Sequence, residues 1–507
     1  MAAKRRIQGA LEPRDDTSLK RRSDPSPLAF FGMVLLQSRL RVLVMSAFSP
    51  EKMMNFRCPM VVRLAVFFLF LACGSSLFAQ YTDPAAVNDL GGPQEFTRRR
   101  AELAKELKTG YLILFARKTL PESVHYREDN DFFYYTGISD PGAVLVMDVA
   151  KGKSMIFEPQ QAPRNKQVYG ANLLSLSEDK RKEMGFETVM PLDILDIGLA
   201  RALASDTDLW LRLTFADKAD GARLETGMDY AEEYTHPYGD PTPGDRAAIK
   251  KLAERYPAAH LRDATPFIDT MRNIKTPQEI AVLRKNGALS GEGIKQGIAH
   301  ARAGMYEYQV EAQAAFVFRN GGASGWAYPA IVGTGDNINT WHYFNDRRQI
   351  QAGDLVVFDF AADYDHMAMD ITRTFNIGGK FPEEQAKWYQ ADLESQKAVM
   401  AMLKPGNTYE QAADAGKAVF AKYGIEKQWF GFPGHFVGLA THDVMRPQGA
   451  IKAGQVVTVE PIVEFPEKKM HFRVEDTILV TDAGPENLSA GVVKEMADVE
   501  KLVGSAK

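Results

Sequence analysis

Cysteine is almost absent from this chain of 507 residues, which has only Cys58 and Cys73. Both fall in an N-terminal segment that reads as removable, so the mature protein is expected to carry none, excluding disulfides and thiolate chemistry. An excess of either charge is also missing. With 61 basic against 65 acidic residues and a formal net charge of -4, nothing favours nucleic acid or an anionic membrane surface as a partner. The apolar run Leu64–Ala72 is too short for a membrane span, which needs roughly 20 residues. There is no internal repeat or low-complexity tract, and Gly333-Thr-Gly335 is too short for phosphate binding and reads as a turn. What is present, 45% hydrophobic and 25% charged residues, suits a globular protein of two or three domains acting on small molecules or peptides.

Arg57 and Arg63 precede the Leu64–Ala72 run, and the small residues Gly74, Ser75 and Ser76 follow it. This is the pattern of a secretory signal peptide over residues 53–79, cleaved near Ala79-Gln80. The Arg-rich residues 1–52 before it are read as a non-native upstream extension, with Met53, Met54 or Met60 as the true start. The expected location is periplasmic or secreted. Lipoprotein anchoring on Cys73, after the loose signal Phe70-Leu-Ala-Cys73, and a buried helix in an N-terminal domain are the alternatives.

From Glu95 to about Pro266, helical stretches such as Phe96–Leu107 alternate with short apolar runs at Tyr111–Phe115, Ala143–Val149, Ser154–Phe157 and Leu209–Phe215. That alternation predicts an α/β domain over residues 80–268. The Pro/Gly-rich stretch His236–Asp245 reads as a surface loop. A second domain, 269–507, opens with Thr276-Pro277-Gln278-Glu279, where Thr caps a helix, Pro suits its first turn and Glu takes the capping-box position. Helices over Pro277–Ala301 and Tyr306–Asn320 precede a strand-rich region.

Within that region, Asp354–Phe375 holds two apolar runs around a polar turn, the pattern of a β-hairpin. A symmetric hairpin centred between Tyr364 and Asp365 sets Asp359 opposite Asp370 on one face. The same construction, centred between Glu467 and Lys468 in the turn Pro466-Glu-Lys-Lys469, sets Glu460 opposite Glu475. Singly, each carboxylate reads more readily as a solvated edge charge than as a ligand. Paired roughly 5 Å apart on apolar strands, they repel unless a cation or shared proton separates them. Oxygen ligands favour hard or borderline divalent ions, Mn²⁺ ahead of Zn²⁺. One histidine would complete the set, and His342, His435 and His442 all lie in strand-like Gly/aromatic segments.

These segments resemble the pita-bread metallopeptidases, specifically the aminopeptidase P and prolidase branch, over about Phe96 to Leu488. The family spaces its first Asp eleven positions before the Asp of an Asp-Ile-Thr-Arg-Thr motif, as do Asp359 and Asp370-Ile-Thr-Arg-Thr374. Its His ligand opens a segment matched by His435-Phe-Val-Gly-Leu-Ala-Thr-His-Asp443, and its two Glu ligands sit in motifs matched at Glu460 and Glu475. Trp341-His342-Tyr343, the junction Met271–Ile280 and the N-terminal Tyr126–Gly137 match as well. The resemblance implies an α/β N-terminal domain followed by an α+β pita-bread (creatinase/aminopeptidase-like) catalytic domain. It implies metal ligands Asp359, Asp370, His435, Glu460 and Glu475 for two divalent ions, Mn²⁺ with Zn²⁺ or Co²⁺ as alternatives, and commonly a homo-oligomer, dimer or tetramer.

By that resemblance, the chain releases the N-terminal residue from Xaa-Pro peptides through a hydroxide bridging the metals. Glu460 would shuttle the proton, His342 and His442 would donate hydrogen bonds to the substrate carbonyl and oxyanion, and Arg473 would orient a ligand or the substrate. The alternatives are a prolidase acting on dipeptides, a metal-free creatinase-like enzyme and a non-catalytic binding module. Relatives of that last kind lose ligands, and this chain keeps all five. Two departures bear on specificity: Gly431 stands where many aminopeptidases P have His, and Glu464 where they often have Tyr. A site-facing Glu464 would favour a free α-ammonium group.

Overall fold

The computed structural model describes residues 90–118, 125–235 and 244–506. The signal segment, the upstream extension, both cysteines, the cleavage point near Gln80 and most of the loop from His236 lie outside the described residues.

Helix Gly92–Leu107 buries Phe96, Arg99, Arg100, Leu103 and Leu107, a stripe at helical spacing. It leads into a six-stranded sheet made of β1 (Tyr111–Phe115), β2 (Val144–Asp148), β3 (Lys153–Glu158), β4 (Thr188–Pro191), β5 (Asp208–Leu211) and β6 (His260–Asp263). The order is β4-β3-β2-β1-β5-β6. The first three strands pair antiparallel, while β4, β5 and β6 run parallel to their neighbours. Strand β5 stops at Leu211 rather than Phe215. Beyond it the Leu213 N–H donates to the Asp263 carboxylate at 3.2 Å instead of a ladder carbonyl, and the Arg212 side chain pairs with Asp129 at 2.9 Å and Asp131 at 2.7 Å.

Residue 269, where the sequence suggests a domain boundary, lies inside helix Thr265–Asn273, so the chain passes into the second half without a linker. The Thr276 hydroxyl then accepts from the Glu279 N–H, and the Glu279 carboxylate accepts from the Thr276 N–H. This capping box opens helix Pro277–His300, which packs on helix Glu307–Asn320. Gly297 in the first of these gives room to Phe358, whose ring a Cβ there would strike. Phe358 precedes Asp359 on the strand that the helix supports.

The second half is α+β. Strands β8 (Ile331–Thr334), β9 (Leu355–Asp359) and β11 (Thr372–Asn376) form one sheet, and β7 (Gly325–Trp326) pairs with β10 (Ala362–Asp363). Strands β12 (Val456–Val459), β15 (Asp476–Thr481) and β16 (Gly484–Asn487) form a third sheet, and β13 (Ile462–Phe465) pairs with β14 (Met470–Arg473). Helices Glu383–Met402 and Tyr409–Lys422 pack on each other, and the first also meets β13 and β14.

The register of the first hairpin differs from the symmetric expectation: Asp359 pairs with Thr372, not Asp370. The turn is centred between Asp365 and His366, whose positive φ values of 48° and 63° suit a two-residue primed turn. Moving the centre by one residue moves the pairing by two, so Asp359 and Asp370 keep a common face as diagonal neighbours. The second hairpin follows the expected register. Val459 pairs with Asp476 on one side and Ile462 with Arg473 on the other, which brackets Glu460 against Glu475.

Both halves belong to one compact unit, joined by a buried ion network. Arg272 contacts Asp131 at 2.7 Å, Asp217 at 2.7 Å and Asp443 at 2.6 Å. Arg223 contacts Asp131 and Asp217 as well, and Lys275 binds Asp443 at 2.9 Å. Asp131 and Asp217 are fully buried. Burial alone would raise their pKa values, but Arg223, Arg212 and Arg272 hold Asp131 well below the usual range, and Arg272 and Arg223 bring Asp217 down to about 2. Depressed values mean that this stabilisation is complete above the ordinary aspartate pKa near 3.9 and is lost as pH falls through the folded values.

Arg272→Ala removes one cation from three buried carboxylates, which keep Arg212, Arg223 and Lys275 between them, and is expected to cost about 3–5 kcal/mol. The deficit should be largest near neutral pH and narrow in acid as those carboxylates take up protons. Urea denaturation followed by circular dichroism across the acid range reads both effects, and wild-type stability in the variant would show the network to be dispensable.

Candidate metal centre

The four carboxylates sit where strands end or begin. Asp359 closes β9, Asp370 lies just before β11, Glu460 follows β12 and Glu475 stands between β14 and β15. Glu475 N–H donates to the Thr372 carbonyl at 3.0 Å, which stitches the two hairpins together. His435 is pinned beside them: its N–H donates to the Thr458 hydroxyl at 3.1 Å, and Thr458 N–H donates to its carbonyl at 2.8 Å.

Two overlapping sets of ligand atoms result, Asp359/Asp370/Glu475 and His435/Glu460/Glu475, with the atoms of each within 4.8 Å of one another. A third set joins Asp370, His435 and His442. Asp359, Asp370, His435, Glu460, His342, His442 and Arg473 all line one cavity of about 310 Å³. Glu475 is buried behind it.

The donor chemistry fits a cation. The Tyr328 hydroxyl lies 2.6 Å from Oδ1 of both Asp359 and Asp370, yet it has one proton and donates to only one of them. The other contact requires a proton or a metal. Glu475 Oε2 accepts from the Thr372 hydroxyl at 2.6 Å, while its Oε1 is buried with no hydrogen-bond partner, a costly state for a carboxylate unless a cation meets it. His435 Nδ1 lies 3.1 Å from the Phe436 carbonyl. Donating there leaves the Nε2 lone pair facing Asp370 and Glu460, at 3.4 and 3.3 Å, the arrangement of a metal-binding imidazole.

Electrostatics agree with the geometry. Burial pushes Asp359 up to about 7, opposed by Arg473 and reinforced by the Asp370 charge. Burial also drives Glu475 well above its usual range, aided by Asp370 and Glu460. For Asp370 and Glu460 the burial effect is outweighed by His435, which holds both low. Among the described residues Arg473, 2.7 Å from Asp359, is the one fixed cation against the four carboxylates, with a proton on His435 as the remaining counter-charge in the absence of an ion, and a divalent ion would balance them.

Around this centre, burial lowers the His342 pKa, assisted by the charge of Arg473, so the ring is neutral near pH 7. His442 Nδ1 lies 2.6 Å from Glu225 of the N-terminal half. Sequence reasoning missed Glu225, and Tyr328 likewise. No local spacing marks either residue, since Tyr328 is 42 positions from Asp370 and Glu225 is 217 from His442. Glu464 bears on substrate choice only if its carboxylate faces the site. Its carboxylate is held by Trp341 Nε1 at 3.2 Å and lies 3.4 Å from His471 Nδ1, so it is engaged on the protein rather than presented to a substrate amine. Gly431 has φ 121°, a conformation strained for histidine.

Comparison with known proteins adds a second line. Residues 281–482 match the model of metallopeptidase family M24, and residues 96–210 match that of the aminopeptidase P N-terminal domain. The Xaa-Pro aminopeptidase of Escherichia coli is 30% identical over 465 residues, spanning 82% of this chain and 98% of its own length. The Xaa-Pro dipeptidase of Pyrococcus furiosus is 29% identical, but over 245 residues, 48% of this chain. The solved structure of E. coli aminopeptidase P with the inhibitor Pro-Leu aligns at TM-score 0.67 and 26% identity, covering 81% of this chain and 98% of its own. The zinc-substituted form of that protein, in complex with product, aligns equally well.

Asp370→Ala and His435→Ala are each expected to weaken divalent-ion binding beyond the roughly 10–100-fold typical of outer-shell partners, with the fold retained. Calorimetric titration with Mn²⁺, beside circular dichroism, reads this. Unchanged affinity in either variant would remove that residue from the ligand set.

Proposed function

The chain belongs to metallopeptidase family M24 and is a metal-dependent aminopeptidase, and we propose that it releases the N-terminal residue from peptides with proline in second position. The observation that carries this reading is the five-residue ligand set gathered at one cavity, with the unpartnered Glu475 Oε1 at its heart. The choice over a prolidase rests on extent: the aminopeptidase relative spans both halves, whereas the dipeptidase relative matches about half of the chain.

We further infer two divalent ions, which Asp359, Asp370, His435, Glu460 and Glu475 would hold, with Mn²⁺ favoured by the oxygen-rich donors. When bound, such ions polarise the scissile carbonyl and acidify the attacking water. The chain's own residues supply the rest. Glu460, half-buried at the cavity wall, accepts the water proton and returns it to the proline nitrogen as the C–N bond breaks. Neutral His342 and the cavity-facing nitrogen of His442 hydrogen-bond the substrate carbonyl and the developing oxyanion. Arg473 fixes Asp359 in place.

Purified protein supplied with Mn²⁺ is expected to cleave Xaa-Pro tetrapeptides with higher kcat/KM than Xaa-Pro dipeptides, and to leave Xaa-Ala peptides nearly untouched. A preference for dipeptides would establish the prolidase reading instead.

The segment Arg57–Ala79 supports export as a proposal, and no helix among the described residues is long and apolar enough to cross a membrane. N-terminal sequencing of the native protein is expected to start near Gln80; residues before Met53 on the mature chain would refute it.

A further inference from the structure

The cavity is not built by the catalytic half alone, because Lys218, Asp220, Glu225 and Asp229 of the N-terminal half also line it. Of these, Glu225 touches a group placed at the chemistry. Its Oε1 lies 2.6 Å from His442 Nδ1, while its Oε2 accepts from the Ala222 N–H at 2.8 Å at the start of helix Arg223–Thr235. Both oxygens are thereby engaged, one on its own helix terminus and one on the imidazole, so the carboxylate has a defined position from which to hold the ring. The backbone around His442 is tied on both sides. Thr441 N–H donates to the Ala219 carbonyl at 2.8 Å, and Asp443 is bound by Arg272 and Lys275.

We propose that Glu225 is a positioning residue for His442, fixing the plane of the ring and directing its other nitrogen into the cavity. This inference rests on the aminopeptidase reading, in which that nitrogen meets the substrate. Glu225 has its two carboxylate oxygens taken by His442 and by the Ala222 N–H. It acts through the one contact at Nδ1, as the carboxylate partner of a working imidazole does elsewhere. The N-terminal half therefore supplies part of the active site's alignment as well as its wall.

The test is a double-mutant cycle of Glu225→Ala and His442→Ala on the metal-loaded protein. Glu225→Ala alone is expected to lower kcat by about 10–100-fold with KM within about threefold and bound metal unchanged. In the His442→Ala background it should cost nothing further, since the residue it positions is gone. A purely structural role would cost the same in both backgrounds, and that additivity would overturn the proposal, as would wild-type kcat in Glu225→Ala. A second readout is independent of turnover: the imidazole ¹⁵N shifts of His442 in zinc-loaded protein are expected to move in Glu225→Ala, and unmoved shifts would also overturn it. If the unmodified protein cleaves no Xaa-Pro peptide, the functional reading falls while the shifts still decide the role of Glu225.

Discussion

Arg272 is the residue on which the two halves of this protein turn. One guanidinium meets carboxylates from three distant stretches: Asp131 on helix Asn130–Thr136, Asp217 in the loop after β5, and Asp443 next to His442. A guanidinium carries five N–H donors in a rigid fork, so all three partners must arrive in fixed directions. Removed from water, neither the cation nor the anions tolerate a missing partner. The N-terminal sheet, the junction helix and the catalytic loop are thus held to one relative arrangement by charge satisfaction more than by shape.

The metal centre poses the opposite electrostatic problem. Four carboxylates gather against one fixed cation, Arg473, with the His435 imidazole and one tyrosine hydroxyl beside them. Where Arg272 neutralises its neighbours, the ligand cluster is left short of positive charge. The strands make that possible, because β9, β11, β12 and β15 hold their backbones in ladders that fix the carboxylates whatever their mutual repulsion. Binding strength at the site is stored in that enforced proximity.

Much of this was legible in the sequence wherever the informative contacts are local. The capping box at Thr276 and Glu279 and the second hairpin's register follow from short spacings, and the structure shows both. The first hairpin erred by one residue in its turn centre, because the residues that take positive φ are Asp365 and His366, which lack the usual glycine signal. Segments Tyr126–Gly137 and Met271–Ile280 stood out individually, but nothing in their composition says that Asp131 and Arg272 meet. Tyr328 and Glu225 left no local mark at all, since their roles exist only once distant segments converge.

The ties on either side of His442 carry a consequence for descent. Ala219 holds Thr441 and Glu225 holds the ring, so the catalytic loop reads its geometry from the N-terminal half. A recombination event that exchanged one half for that of a cousin would separate these pairs, even with every ligand intact. The halves are therefore constrained to be inherited together, and change at residues 217–225 must be matched by change at 441–443 or be lost.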